Sequence, residues 1–110
     1  MKYKLWIEKD GKVFGKGPLE LLMGVKEKGS LSESARAMGM SYNKAYTLIK
    51  SIENKLGCRL VSSKSGGENG GGSMITEEAE KLIAVYQAFY SECEESLQQI
   101  FQRYFNSFNL

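Results

Sequence analysis

The stretch that most limits what this chain can fold into is its last third. Thr76 is placed to cap a helix, and Glu77, Glu78 and Glu80 suit the positive end of its dipole. The pattern then stays helical to about Phe105. Near 30 residues at 1.5 Å each make a rod of roughly 45 Å, longer than a domain of 110 residues can cover. Leu82, Tyr86, Phe89, Cys93, Leu97, Ile100 and Tyr104 follow one another along it at steps of 4, 3, 4, 4, 3 and 4. Ile83, Val85, Tyr90, Phe101 and Phe105 widen the stripe. So much apolar surface does not stay in water. Pairing with the same helix of a second copy, as an antiparallel or crossed coiled coil, buries it, which makes these seven positions the expected dimer seam.

A second helix is written into residues 40–57, MSYNKAYTLIKSIENKLG. Ala45, Leu48, Ile49, Ile52 and Leu56 recur at helical spacing and define one buried stripe. Ser41 is placed as the N-cap. The opposite face carries Tyr42, Asn43, Lys44, Tyr46, Thr47 and Lys50, with no acid before Glu53. A solvated helix face usually mixes Glu with Lys. Amides, hydroxyls, aromatics and lysines crowded into two turns suit a helix that enters a major groove, where they meet base edges and phosphates. Upstream, Ser32 is placed to cap a short helix from Glu33 to Met38. Ala35 allows close helix contact, and Gly39 turns the chain. A short helix, a tight turn and a longer helix in this order predict a helix-turn-helix.

The flanks complete a small domain. Residues 3–9 and 12–14 read as strands around Asp10-Gly11, a hairpin that must lie against the helices or a partner, with Trp6 as a packing residue. Gly17-Pro18 opens a first helix with Pro18 at its first position. Its apolar residues are Leu19, Leu22, Met23 and Val25, and Lys28-Gly29 ends it. Residues 59–64 and 73–75 read as strands around the loop GGENGGGS. A hairpin directly after the second helix of a helix-turn-helix is a wing, and glycines at its tip let backbone approach a phosphate or a narrow groove. Gly66 and Gly71 start like a phosphate-binding loop, but Gly72-Ser73 stand where lysine is required, which removes nucleotide binding.

Charge divides along the chain. Residues 1–64 hold 13 Lys and Arg against 6 Asp and Glu, whereas residues 65–110 hold 2 against 7, so the net +2 conceals a basic front and an acidic back. The basic front points to a polyanion. The chain contains no histidine, which removes the commonest general base and transition-metal ligand, and Cys58 and Cys93 fit no zinc spacing. No cofactor, no metal and no enzymatic activity are expected. No apolar run approaches a membrane span, and residues 1–12 are too charged for a signal-peptide core, so a cytoplasmic, membrane-free protein is expected.

The run Ser34-Ala35-Arg36-Ala37-Met38-Gly39-Met40-Ser41-Tyr42, followed by Ala45, Leu60-Val61, the glycine-rich wing and Thr76, resembles the N-terminal DNA-binding domain of the molybdate-responsive (ModE) regulator family, itself related to LysR-type winged helices. Tyr46 and Ala79 depart from it, standing where Trp and Gly are common in that family. The resemblance implies double-stranded DNA as partner, a homodimer joined through long helices, and the helix after the turn in the major groove. Molybdate binding is not expected, because no segment remains for the additional oxyanion-binding domains. The fold class is therefore mainly α with small β hairpins: a winged helix-turn-helix over residues 1–76, its N-terminal hairpin in 1–15 and its wing in 59–76, followed by a dimerisation helix over 77–110. The expected DNA contacts are Arg36, Ser41, Tyr42, Asn43, Lys44, Tyr46, Thr47, Lys50 and Lys64. Asn43 is the best base reader, since an amide pairs bidentately with adenine. Arg36, Lys44, Lys50 and Lys64 suit phosphate or guanine. The other reading is a winged-helix protein-interaction module in which the basic front is incidental.

Overall fold

Asp10 and Gly11 both adopt positive φ, 53° and 103°, the backbone a tight hairpin turn demands. They join β1 (Ile7–Glu8) to β2 (Lys12–Phe14) in an antiparallel pair whose register shifts between Ile7 and Glu8. The computed structural model describes residues 1–63 and 72–110. The first strand is shorter than expected, because the chain before it is taken up elsewhere. The Tyr3 ring stacks on Tyr90 at 6.1 Å, and the Leu5 carbonyl accepts a hydrogen bond from the Tyr86 hydroxyl at 3.0 Å. Residues 3–5 thus lie along the last helix instead of extending the hairpin. Trp6 is a packing residue. A side chain at Gly15 would collide with its ring, and the Lys12 ammonium lies 4.5 Å from the ring centre.

Helix α1 (Lys16–Lys28) starts two residues earlier than expected, from Gly15, so Pro18 sits third. The location is harmless, because N–H groups of a first turn have no carbonyl to meet. Pro18, Leu21, Leu22 and Val25 form its buried face, with Leu19 and Met23 half-buried beside it. Gly29, at φ 78°, closes the helix by donating to the Val25 carbonyl. Helix α2 (Leu31–Ala37) also starts earlier than expected: Ser30, not Ser32, accepts from the Glu33 N–H. Starting there brings Leu31 into the core beside Ser34 and Ala35.

The two helices pack closely at one point. Ser34 donates its hydroxyl to the Leu21 carbonyl at 2.7 Å, and a Cβ at Gly24 would overlap that serine. Gly24→Ala is expected to cost about 1–3 kcal/mol through overpacking, although alanine favours helix. A chemical-denaturation midpoint unchanged or raised in this variant would contradict so tight a contact.

Helix α3 (Tyr42–Leu56) buries Ala45, Ile49 and Ile52, with Leu48 half-buried. Leu56 departs from the expected stripe and is 42% exposed, because the chain turns at Gly57 and Leu60, fully buried, takes the last core place. The wing strands are β3 (Val61–Ser63) and β4 (Ser73–Ile75), antiparallel in the register Val61↔Ile75, Ser62↔Met74 and Ser63↔Ser73. The strand expected over 59–64 starts two residues later, at Val61. Lys64 and most of the glycine-rich loop, residues 64–71, lie outside the described residues.

Thr76 caps α4 (Glu77–Phe105), which ends in a 3-10 turn, Asn106–Phe108. Its hydroxyl accepts from Ala79 and donates to the Arg59 carbonyl at 2.6 Å, while its N–H donates to Leu60, so cap and wing are one structure. Ser73 also donates to the Gly29 carbonyl at 2.8 Å. Ala79, Ile83 and Tyr86 enter the core formed by Val13, Phe14, α1, α2 and α3. Past Tyr90 the helix leaves the domain, which gives the molecule its length of 62 Å against 27 and 21 Å across. Among the described residues no helix is long and apolar enough to cross a membrane.

Candidate nucleic-acid interface

The turn between α2 and α3 is closed by backbone hydrogen bonds, with Met38 and Met40 packed against the core. Met38 and Met40 both donate to the Ala35 carbonyl, Gly39 donates to Arg36, and Gly39 adopts φ 69°, where a side chain is strained. Ser41 then accepts from the Lys44 N–H at 3.2 Å. These bonds fix the angle at which α3 leaves the core. The stripe Ala45, Ile49, Ile52 points inward, so geometry requires the other face to point out.

That face is arranged in rows. Tyr42, Tyr46 and Lys50, four residues apart, form one: the tyrosine rings stand 6.1 Å apart, and the Lys50 ammonium lies 5.5 Å from the Tyr46 ring. Tyr42 and Tyr46 are half exposed. Asn43 and Thr47 form a second exposed row, with Lys44 beyond it, and Arg36 is exposed on α2. No acidic residue occupies the first two turns of α3. The structure therefore brings Ser41, Tyr42, Asn43, Lys44, Tyr46 and Thr47 onto one open surface. Lys50 is placed differently: its ammonium lies 3.3 Å from Glu53, and it is half-buried at the rear of the row. Of the seven positions expected in a seam, Phe89, Ile100 and Tyr104 are exposed, Cys93 and Leu97 are half-buried, and Leu82 is half-buried against the core. Tyr86 does not belong with them. Its ring meets Phe14 edge-on at 5.2 Å and is 2% exposed, sealed in the protomer's own core by the hairpin.

Sequence reasoning missed Glu53. It is buried at the last turn of α3, where one carboxylate oxygen accepts from Leu60 N–H at 2.7 Å and Val61 N–H at 3.2 Å. Burial pushes its carboxyl up, but the two backbone donors and Lys50 outweigh that and hold it below its ordinary value. Glu53 thus ties the wing to the exposed helix. Its signal was available: it is the one acid of α3, set one residue after the buried Ile52. Lys55 performs a parallel task, donating to the Lys12 carbonyl at 3.1 Å and pinning the end of α3 to the hairpin.

Comparison with known proteins agrees with this geometry. Residues 18–80 match the family described as bacterial regulatory helix-turn-helix protein, lysR family. A molybdenum-pterin-binding protein, MopB, from Rhodobacter capsulatus is 37% identical over 82 residues, 74% of this chain and 30% of that protein. The DNA-binding transcriptional dual regulator ModE from Escherichia coli strain K12 is 32% identical over 68 residues, 62% of this chain and 26% of that protein. The chain thus spans less than a third of these relatives' length. Among solved structures, a complex of the CbnR DNA-binding domain with DNA is similar with a TM-score of 0.58 at 16% identity, covering 76% of this chain and 90% of that one. ArgP from Mycobacterium tuberculosis gives 0.55 at 21%, covering 77% of this chain and 30% of that one. The fold is that of these helix-turn-helix domains, and the chain belongs to the LysR family of bacterial regulatory helix-turn-helix proteins.

Proposed function

We propose that the chain is a transcriptional regulator of the cytoplasm that binds duplex DNA as a homodimer. Residues 1–76 form the DNA-reading unit and 77–110 the pairing helix. The observation that carries this reading is the open, acid-free first half of α3, with Tyr42, Asn43, Lys44, Tyr46 and Thr47 held out by a buried stripe. Its N-terminal end is rich in hydrogen-bond donors, and its outward lysine adds phosphate attraction. Two such helices about one duplex turn apart (~34 Å) read a pseudo-palindromic site. Of two relatives similar over this region, one is named a molybdenum-pterin-binding protein and the other a DNA-binding transcriptional regulator, and the second supports the DNA reading. Molybdate is not assigned to this chain.

Selection of bound duplexes from a random pool tests the proposal, since it reports binding, specificity and symmetry together. Recovery of no enriched sequence, with equal retention of all duplexes, would favour the protein-interaction reading. Within the selected site, Asn43→Ala is expected to weaken binding by about 1–3 kcal/mol and relax preference at one base pair. Equal loss on selected and random duplex contradicts base reading by Asn43. Lys44→Ala is expected to weaken both alike and to lower the slope of log affinity against log salt by about one. An unchanged slope removes Lys44 from the phosphate contacts.

A further inference from the structure

A cavity of about 370 Å³ lies between the N-terminal segment, the start of α1 and the middle of α4. Tyr3, Trp6 and Tyr90 give it aromatic walls, and Lys4, Lys16, Gly17 and Glu20 line the rest. Such a volume falls in the range in which proteins hold small organic ligands. A smaller hollow of about 160 Å³ continues past Tyr90 to Ser91 and Glu94. Of the residues named for the larger cavity, only Glu20 falls within residues 18–80, the part matched to the helix-turn-helix family. None belongs to the open face of α3.

The construction favours one kind of guest. Aromatic walls suit a flat ring. At one end α1 starts from Gly15, which has no side chain to cap it, and no acid lies in its first turn. The first N–H groups of a helix have no carbonyl to meet and carry the positive end of its dipole. Lys4 and Lys16 add two cations there against the single carboxylate of Glu20. Glu94, beyond Tyr90, repels an anion from the far end, so negative charge is directed to the start of α1. A Cβ at Gly17 would meet nothing within 4 Å, so the space is open up to the helix backbone. The Tyr3 hydroxyl is an independent sign. Its oxygen is shut off from solvent, and no hydrogen-bond partner for it lies among the described residues, a cost that an acceptor on a guest would relieve.

We propose that this cavity binds a small, flat aromatic anion, its ring against Tyr3, Trp6 and Tyr90 and its acidic group toward Lys4, Lys16 and the start of α1. The inference goes beyond the DNA reading and stands without it. The walls come from three separate segments, so an occupant ties the N-terminal segment, α1 and α4 together. An effector is thereby placed where the domain hands over to its long helix.

Titration of the full chain with 2-naphthoate, followed by NMR, tests it. Trp6 is the one tryptophan, so a single indole N–H resonance reports on the cavity. That resonance is expected to shift saturably with naphthoate. The uncharged 2-naphthamide, with the same ring, is expected to bind about tenfold more weakly. Replacing both lysines, Lys4→Gln with Lys16→Gln, is expected to weaken naphthoate by a similar factor and to leave the amide unchanged. Gly17→Phe turns a ring into the open space and is expected to abolish the shift while the melting temperature holds. A shift that never saturates overturns the cavity as a site. Equal affinity for acid and amide, or a double lysine variant that binds naphthoate like the parent, overturns the anionic class. Undiminished binding to Gly17→Phe puts the guest elsewhere and overturns the proposal. Duplex binding by the unliganded proteins, measured alongside, answers the DNA reading alone.

Discussion

Glu53→Ala is expected to lower the unfolding free energy by about 2–4 kcal/mol, since it strands the Leu60 and Val61 N–H groups and removes the partner of Lys50. Denaturant titration reads the loss, and amide hydrogen exchange should localise it to the wing base before the core. A variant as stable as the parent would show that water replaces the carboxylate at little cost. The same group gives stability a pH dependence of definite sign. Because the folded carboxyl titrates below its ordinary value of 4.5, the unfolded chain binds the proton first on acidification. The contribution is complete above about pH 4.5 and disappears as the pH falls through the lower folded value. Glu53→Gln is expected to flatten that acid limb while leaving the alkaline side unchanged. An acid limb identical in parent and variant would assign the dependence to other carboxylates.

The second large effect concerns pairing. The double variant Leu97→Glu, Ile100→Glu places charge on two side chains that do not pack against the buried core, so the protomer should keep its fold and melting behaviour. Sedimentation is expected to report a monomer. Affinity for a selected two-half-site duplex should fall by roughly 10²–10⁴, because the second recognition helix no longer binds intramolecularly. Affinity for a single half-site should hardly change. Unaltered binding to the full site would mean that dimerisation runs through another surface.

Where the sequence was readable, the determining interactions are local. The Ser41 cap, the Thr76 cap, the Asp10-Gly11 turn and the returning strand 73–75 each depend on neighbours a few residues away, and each is found where its pattern places it. The misplacements all come from contacts between distant segments. Ser30 wins over Ser32 because Leu31 is needed in the core. The strand expected over residues 3–9 shrinks because Tyr3 and Leu5 are drawn to Tyr90 and Tyr86, more than 80 positions away. Tyr86 satisfies the spacing of an intermolecular seam but is taken by Phe14, and no periodicity tells which partner claims a ring first. Glu53 was marked in the sequence as the one acid of α3, but its role was not, since its partners Leu60 and Val61 come from the next element. Within the interface, the residues Ser41 to Thr47 were legible as one face of a helix, while the rearward tilt of Lys50 depends on that buried acid.

The union of Thr76 with the wing has a wider consequence. No linker separates the helix-turn-helix domain from α4: the strand Ser73–Ile75 passes into α4 through a residue bonded to Arg59, Leu60 and Ala79. Domain and helix therefore behave as one solid lever, and in the proposed homodimer the distance between half-sites is measured by the helix as by a gauge. Two residues inserted past Tyr90 would advance the far copy by about 3 Å and swing it by about 200°. Such a protein should abandon its own operator even though every side chain that touches the bases is intact.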